Sequence, residues 1–278
     1  MKIFGYRRRE KVFYSPLLKF RALEDGVINN YAGKKIHGWF FKILKEADEE
    51  ISKELHGNIS DKSFTVSSFL GHNVSRPIEI RKGEEYTIRI TLLEDRLFEL
   101  FTNQIFETKM LDENVRIEDV TFSVDGYTID QMHKWSGFIS EEELFKMDNT
   151  DNMIKMKFYT PTSFRIGDLH LRAPEPDKVF TSILRKFNKY SSIKIDEKIS
   201  EKFKAIRIIE QDVFQKKVYF KDFFIQGFVG TVIFQIPDDK ELLTAANVLS
   251  RFAFYSGVGY KSTMGLGQAK REEYVNEQ

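Results

Sequence analysis

The sequence predicts an α+β fold of two tandem ferredoxin-like domains. Three observations lead there. Apolar spacing alternates between period two and a period of three to four in the order β-α-β-β-α-β, and that order then recurs. The 278 residues suit two domains of ordinary size. The stretch 125–150 is polar and acidic and separates the two units, so the expected domains are 1–135 and 136–278.

In the first unit, Tyr14 to Leu23 reads as a strand. From residue 30 the period changes. Ile36, Phe40, Ile43, Leu44, Ala47, Ile51 and Leu55 form one apolar stripe, which predicts a single long helix stopped by Gly57. Phe64 to Leu70 is strand-like. Tyr86 to Leu93 alternates with period two and predicts a strand. Leu97, Leu100, Phe101 and Ile105 predict a second helix, and Val115 to Val124 a further strand.

In the second unit, Ile154 to Thr160 predicts a strand, and Pro174 and Pro176 mark a loop. Val179, Ile183, Leu184 and Phe187 predict a short amphipathic helix. Ala205 to Val213 and Gln226 to Ile236 read as strands, with an extra hairpin around Lys216–Phe223. Asp238 or Asp239 suits the cap of a helix bearing Leu242, Leu243, Ala246, Leu249 and Phe252. Leu266 to Tyr274 is the last expected strand.

The chain has no cysteine, which excludes disulfides, thiolate nucleophiles and cysteine-ligated zinc or iron–sulfur clusters. No apolar run is long enough to predict a membrane helix. The start, MKIFGYRRREKVF, lacks a signal-peptide stretch, so a cytoplasmic location is expected. Net charge is +1 but unevenly spread. Residues 1–42 hold ten Lys and Arg against three acids, residues 93–145 thirteen acids against four bases, and residues 177–230 twelve bases against seven acids. This pattern is compatible with one polyanion-binding face and one kept off it, and also with ordinary solvated surfaces. The 26 Phe and 11 Tyr suit a thick β core or platforms for stacked bases.

The most specific local feature is Gly257-Val-Gly-Tyr-Lys-Ser-Thr-Met-Gly-Leu-Gly267. Glycine lets backbone N–H groups approach an anion closely, and Lys261, Ser262 and Thr263 add donors. The spacing is not that of a P-loop, and the segment does not open the helix of a βαβ unit as a dinucleotide fingerprint does.

Two Gly-x-Gly pairs five residues apart resemble the glycine-rich loop of the RAMP superfamily of CRISPR-associated proteins. Within it the chain most resembles the CRISPR precursor-RNA-processing endoribonucleases. Leu55-His56 followed by Lys62-Ser-Phe-Thr-Val-Ser67 is similar to that family's segment after its first helix. Phe158-Tyr-Thr-Pro-Thr-Ser-Phe-Arg165 is similar to its "TPT-x-FR" strand end, and Val179 to Asn188 to the helix that follows. The resemblance spans about residues 14–275 in consistent order. It implies RAMP/RRM-like ferredoxin domains and an enzyme that cuts CRISPR repeat transcripts into guide RNAs. It also implies no metal and no cofactor, attack by the 2′-hydroxyl beside the scissile phosphate, and 5′-hydroxyl and 2′,3′-cyclic phosphate ends.

Such chemistry needs one group to take the 2′-hydroxyl proton, one to protonate the leaving 5′-oxygen, and positive charge on the phosphate. Histidine suits either proton task and lysine the charge. His56 occupies the family's catalytic-histidine position, with Lys62 six residues on. It also falls at the end of the predicted helix, where the macrodipole favours an imidazolium. His37 is the rival, early on the same helix beside Lys34 and Lys35, and an apolar packing role fits it as well. An unbroken helix would hold the two ~28 Å apart, so one histidine is expected to act, not both. Some relatives carry a tyrosine on this helix as proton acceptor, where this chain has Phe41; Tyr31 is the nearest substitute. His72, His133 and His170 match no motif.

For RNA, Lys261 and the amides of Gly257, Gly259, Gly265 and Gly267 are the expected phosphate contacts. Arg165, Arg185, Lys186 and Lys189 form an expected basic group on the second domain. A-form RNA is read mainly through shape and phosphates, so no base readers are assigned. The expected partner is CRISPR repeat RNA, with effector-complex subunits a further possibility, no membrane association, and a monomer or homodimer. Two other readings stay open: a RAMP protein that holds guide RNA without cutting it, and an unrelated nucleotide-binding α/β protein.

Overall fold

Pro16 has no N–H to give a ladder, and it divides the first strand segment in two. The computed structural model describes residues 10–29, 31–57, 62–167 and 169–274, without the side chains of Ser52 and His56. The first half runs β1 (Val12–Ser15), β2 (Leu17–Ala22), β3 (Gly26–Ile28), α1 (Ala32–Ala47), α2 (Glu49–Gly57), β4 (Phe64–Val66), β5 (Ile78–Ile80), β6 (Glu85–Leu92), α3 (Asp95–Met110), β7 (Val115–Ile117), β8 (Val120–Thr128), β9 (Gly137–Ser140) and α4 (Glu141–Lys146). The second half runs β10 (Met153–Thr162), β11 (Phe164–Ile166), β12 (Leu169–Leu171), α5 (Pro176–Tyr190), α6 (Ile199–Lys202), β13 (Arg207–Tyr219), β14 (Phe224–Gln235), α7 (Lys240–Ser256) and β15 (Ala269–Glu272).

Each half carries the ferredoxin-like sheet. In the first, β8-β2-β6-β4 lie side by side, all neighbours antiparallel, with β7, β1 and β9 extending the sheet. In the second, β13-β14-β10-β15 reproduce the same order read from the opposite edge. Period two dictates the register: Phe20 of β2 faces Tyr86 of β6 and Val124 of β8, and all three point into the core.

α1 and α3 cover the first sheet, where Phe40 meets Phe64 at 4.5 Å and Phe101 at 5.2 Å between ring centres. α5 and α7 cover the second, where Phe187 meets Phe252 at 5.1 Å. Phe13 and Leu93 of the first half pack into the second half's core, so the two layers share apolar surface.

The expected single helix is two. α1 ends at Ala47, Asp48 is extended (φ −158°), and α2 starts afresh. The Asp48 carboxylate accepts the N–H groups of Glu50 (2.9 Å) and Ile51 (3.1 Å) and so caps α2. Those bonds, with Arg96 nearby, hold it below the usual carboxylate range. The expected extra hairpin around 216–223 is not a separate unit but the tip of one long hairpin: β13 and β14 pair from Arg207↔Gln235 to Tyr219↔Phe224, with one register shift between Ile208 and Glu210.

Candidate active site

The turn of α1 that follows Tyr31 lies against the glycine-rich loop of the other half. Gly33 is there because a Cβ would stand 2.2 Å from the Met264 carbonyl oxygen. One turn on, His37 presents the same helix face, and its Nδ1 is 2.8 Å from the Thr263 carbonyl. A carbonyl only accepts, so Nδ1 carries a proton and Nε2 is the basic nitrogen of the neutral ring. The imidazole packs edge-on to Phe41 (4.8 Å) and stacks with Phe64 (5.7 Å). Lys62, next to β4, places Nζ 4.7 Å from the centre of the Phe41 ring. Partial burial holds its ammonium below the ordinary lysine range. His37 and Lys62 therefore gather around one aromatic side chain at the junction of the halves.

His56 is the penultimate residue of α2, and its side chain lies outside the described residues. The break at Asp48 removes the straight-helix separation from His37. Phe41 is 6% exposed and has no proton to exchange. Tyr31 does not replace a missing base: it is 1% exposed, its hydroxyl has no hydrogen-bond partner among the described residues, and burial pushes its pKa far up.

The glycine-rich loop departs from expectation. All four glycines have positive φ, from +62° at Gly257 to +88° at Gly265. A Cβ on Gly267 would stand 1.8 Å from the Val258 carbonyl, and one on Gly259 2.4 Å from that of Ser163. Their amides turn inward: Gly257 to Ala253 O, Gly265 to Ser262 O, Gly267 to Pro161 O and Gly259 to Ser182 Oγ. The expected cradle of glycine N–H groups is thus replaced by close backbone packing, and the glycines shape the loop. Lys261, left-handed at φ +57°, stays part-exposed, with Nζ 5.1 Å from the Tyr260 ring and 5.9 Å from those of Phe220 and Phe223.

Of the expected basic group, Lys186 is not on the surface. It is 3% exposed, and its Nζ donates to the carbonyls of Ser256 (2.7 Å) and Gly257 (3.3 Å) and to Ser262 Oγ (2.7 Å). Arg165, Arg185 and Lys189 are exposed. Lys189 and Tyr190 line a cleft with Ile51 and Leu55 of α2 and with Ser63, beside Lys62. Arg165 sits on β11 opposite His170 of β12. Burial and then the charges of Arg165, Arg172 and Lys261 hold His170 below the ordinary histidine range. These residues form a cationic patch beside Tyr260, whose ring is 5.2 Å from His170.

Sequence reasoning named a hairpin around Lys216–Phe223 and set His170 aside as matching no motif; it missed Arg172 and the hairpin's exposed aromatics as part of a site. On the hairpin, Phe214 is 61% exposed, and Tyr219, Phe223 and Phe224 are each 49% exposed. Lys217 lies 4.7 Å over Phe224. The run Phe-Gln-Lys-Lys-Val-Tyr-Phe-Lys-Asp-Phe-Phe224, aromatic and basic by turns, was the available signal. Among the described residues, no His, Asp or Glu cluster is placed to hold a metal ion, and no helix is long and apolar enough to cross a membrane.

Comparison with known proteins agrees with this architecture. The model of the CRISPR Cas6 N-terminal domain matches residues 13–146, and that of the CRISPR-associated endoribonuclease Cas6 matches residues 156–269. The chain is 22% identical over 241 residues to the CRISPR-associated endoribonuclease Cas6 of Streptococcus thermophilus, covering 84% of this chain and 96% of that one. A Cas6 solved as a product complex superimposes with TM-score 0.76 at 25% identity, covering 94% of this chain and all of the other. A Cas6 of Thermus thermophilus superimposes with TM-score 0.72 at 21% identity, covering 94% and 99%. The chain belongs to the Cas6 family, the CRISPR-associated endoribonucleases that process precursor crRNA.

Proposed function

We propose that this chain cuts CRISPR repeat transcripts into guide crRNAs without a metal, through attack by the 2′-hydroxyl on the adjacent phosphate. The observation that carries the reading is the His37 ring, held through Nδ1 at the interdomain junction beside Lys62. His37 Nε2 takes the 2′-hydroxyl proton. The 2′-oxygen bonds to phosphorus, the bond to the 5′-oxygen breaks, and that oxygen takes up a proton from water. The ends are a 2′,3′-cyclic phosphate and a 5′-hydroxyl. Lys62 supplies charge to the crowded phosphate, and its partly dry setting strengthens that interaction. His56 on α2 is the alternative proton carrier.

Repeat RNA is held by Lys261, on the loop shaped by Gly257, Gly259, Gly265 and Gly267. Arg165, the patch around Arg172, and Arg185 and Lys189 toward α2 add phosphate contacts. The exposed hairpin aromatics offer stacking surfaces for unpaired bases.

A second reading, a guide-RNA holder that does not cut, is favoured by Phe41 where some relatives have a catalytic tyrosine. Incubation of cognate repeat RNA with protein in EDTA separates the two. Wild type is expected to cut once. His37→Ala is expected to bind RNA but cut about 10²–10⁴-fold more slowly, and His56→Ala to lose less. Tight binding without cutting would establish the holder, and a metal requirement would refute the proposed chemistry.

A further inference from the structure

The buried ammonium of Lys186 has no place on an RNA surface, yet burying a charge is costly unless it is well hydrogen-bonded. Its acceptors among the described residues identify what that cost supports. Ser256 and Gly257 stand at the exit of α7, where the glycine-rich loop begins. Ser262 opens the short 3₁₀ turn Ser262–Met264 in the middle of that loop. One ammonium of the second domain thus ties the start of the loop to its central turn. The next residue of that turn is Thr263, whose carbonyl accepts the Nδ1 proton of His37 in the first domain. Left-handed residues on both sides, Lys261 and Gly265, fix which way the turn's carbonyls face.

We propose that Lys186 is a positioning residue. It holds the Ser262–Met264 turn so that the Thr263 carbonyl fixes the orientation and tautomer of His37 across the domain boundary. Without this anchor the turn is free to shift, the carbonyl leaves Nδ1, and Nε2 no longer holds the proton-accepting role alone. The proposal rests on the reading of His37 as proton carrier, but its physical core, the state of the imidazole, is measurable without any cleavage.

The test compares wild type, Lys186→Met and Ser262→Ala in two ways. Long-range ¹H–¹⁵N spectra of labelled histidine, taken where the ring is neutral, report which nitrogen of His37 is protonated. The expected result is a single Nδ1–H form in wild type and an averaged mixture in both variants, smaller for Ser262→Ala because the bonds to the Ser256 and Gly257 carbonyls remain. Single-turnover cleavage of repeat RNA is expected to fall about 10–100-fold in Lys186→Met, the scale of a small misplacement of a reacting group, with the RNA Kd changed by less than about threefold. An unchanged His37 spectrum in both variants overturns the proposal. So does a loss of RNA affinity as large as the loss of rate, which would make Lys186 part of the binding surface. Should Lys186→Met fail to fold, the Ser262→Ala spectrum decides. A wild type that never cuts sinks the endonuclease reading, while the spectra still settle the role of Lys186.

Discussion

The guanidinium carbon of Arg89, on the central strand β6 of the first sheet, lies 3.9 Å from the ring centre of Phe254 on α7 of the second domain. Arg89 also donates to the Phe254 carbonyl, to Ser15 Oγ (2.8 Å) and to the Trp135 carbonyl (3.1 Å). It is 1% exposed, and burial lowers its pKa from the ordinary arginine value. One cation on an aromatic face thereby joins the first sheet, helix α7 of the second half and the segment before β9. Arg89→Met removes all three bonds in a dry site and takes the Arg89 donor from the Phe254 carbonyl, while Ser15 Oγ still donates to the Trp135 carbonyl. Unfolding in urea is expected to show a loss of about 3 kcal/mol. A loss below about 1 kcal/mol would mean that water replaces the guanidinium and that the junction is held elsewhere.

Glycine substitutions are expected to differ in sign. Gly267→Ala sets a Cβ against a backbone oxygen that cannot move without breaking the loop, at φ +64°. It is expected to cost upward of about 3 kcal/mol, more than the ~1–3 kcal/mol of backbone strain alone. Gly38 lies exposed within α1, with nothing within 4 Å of its added Cβ. Gly38→Ala is expected to stabilise by about 0.5–1 kcal/mol. Thermal melts of both variants check the pair, and equal effects would contradict the packing described for the loop.

The alkaline limb of cleavage is expected to follow Lys62. Its folded-state pKa lies below 10.5 because charging it in a partly buried site is costly. The positive charge offered to the phosphate is therefore lost as pH rises through that lowered value, earlier than for an exposed lysine. Stability runs the other way: between the folded and unfolded values the unfolded chain binds more protons, so this lysine's unfavourable contribution fades as pH rises. Lys62→Arg keeps its charge throughout and is expected to flatten the limb. A limb unmoved in Lys62→Arg would assign it to another group.

The hairpin is expected to separate stacking from charge. Phe214→Ala removes an exposed aromatic surface and is expected to weaken single-stranded repeat RNA binding by about 1–3 kcal/mol with an unaltered salt slope. Lys217→Ala is expected to lower the slope of log K against log salt by about 1. Titrations at several salt concentrations distinguish the two. Equal slopes for all three proteins would take Lys217 off the RNA path.

Much of this architecture was legible in the sequence because it depends on local periodicity. Alternation over 86–93 made a strand, the stripe from Ile36 to Leu55 made a helical face, and Asp239 caps α7 through Leu242 N–H. The break at Asp48 was not legible, because Ile51 and Leu55 continue the apolar stripe and stay buried on the far side of it. The burial of Lys186 left a trace: it falls three residues after Ile183 and beside Phe187, on the buried face of α5. Its charge concealed that position.

By itself the sequence determined the twofold repeat of the ferredoxin order, the absence of thiol chemistry, and the membership signalled by the paired glycines and the segments around His56 and Arg165. Only the tertiary structure decided that the glycine amides face inward, that Lys186 is a buried anchor, and that His37 meets a carbonyl 226 residues further along the chain. The physical reason is the range of the forces involved. Periodicity reports which face of an element is apolar, whereas the partner of a hydrogen-bonding group is set by where two separately folded sheets bring their loops together.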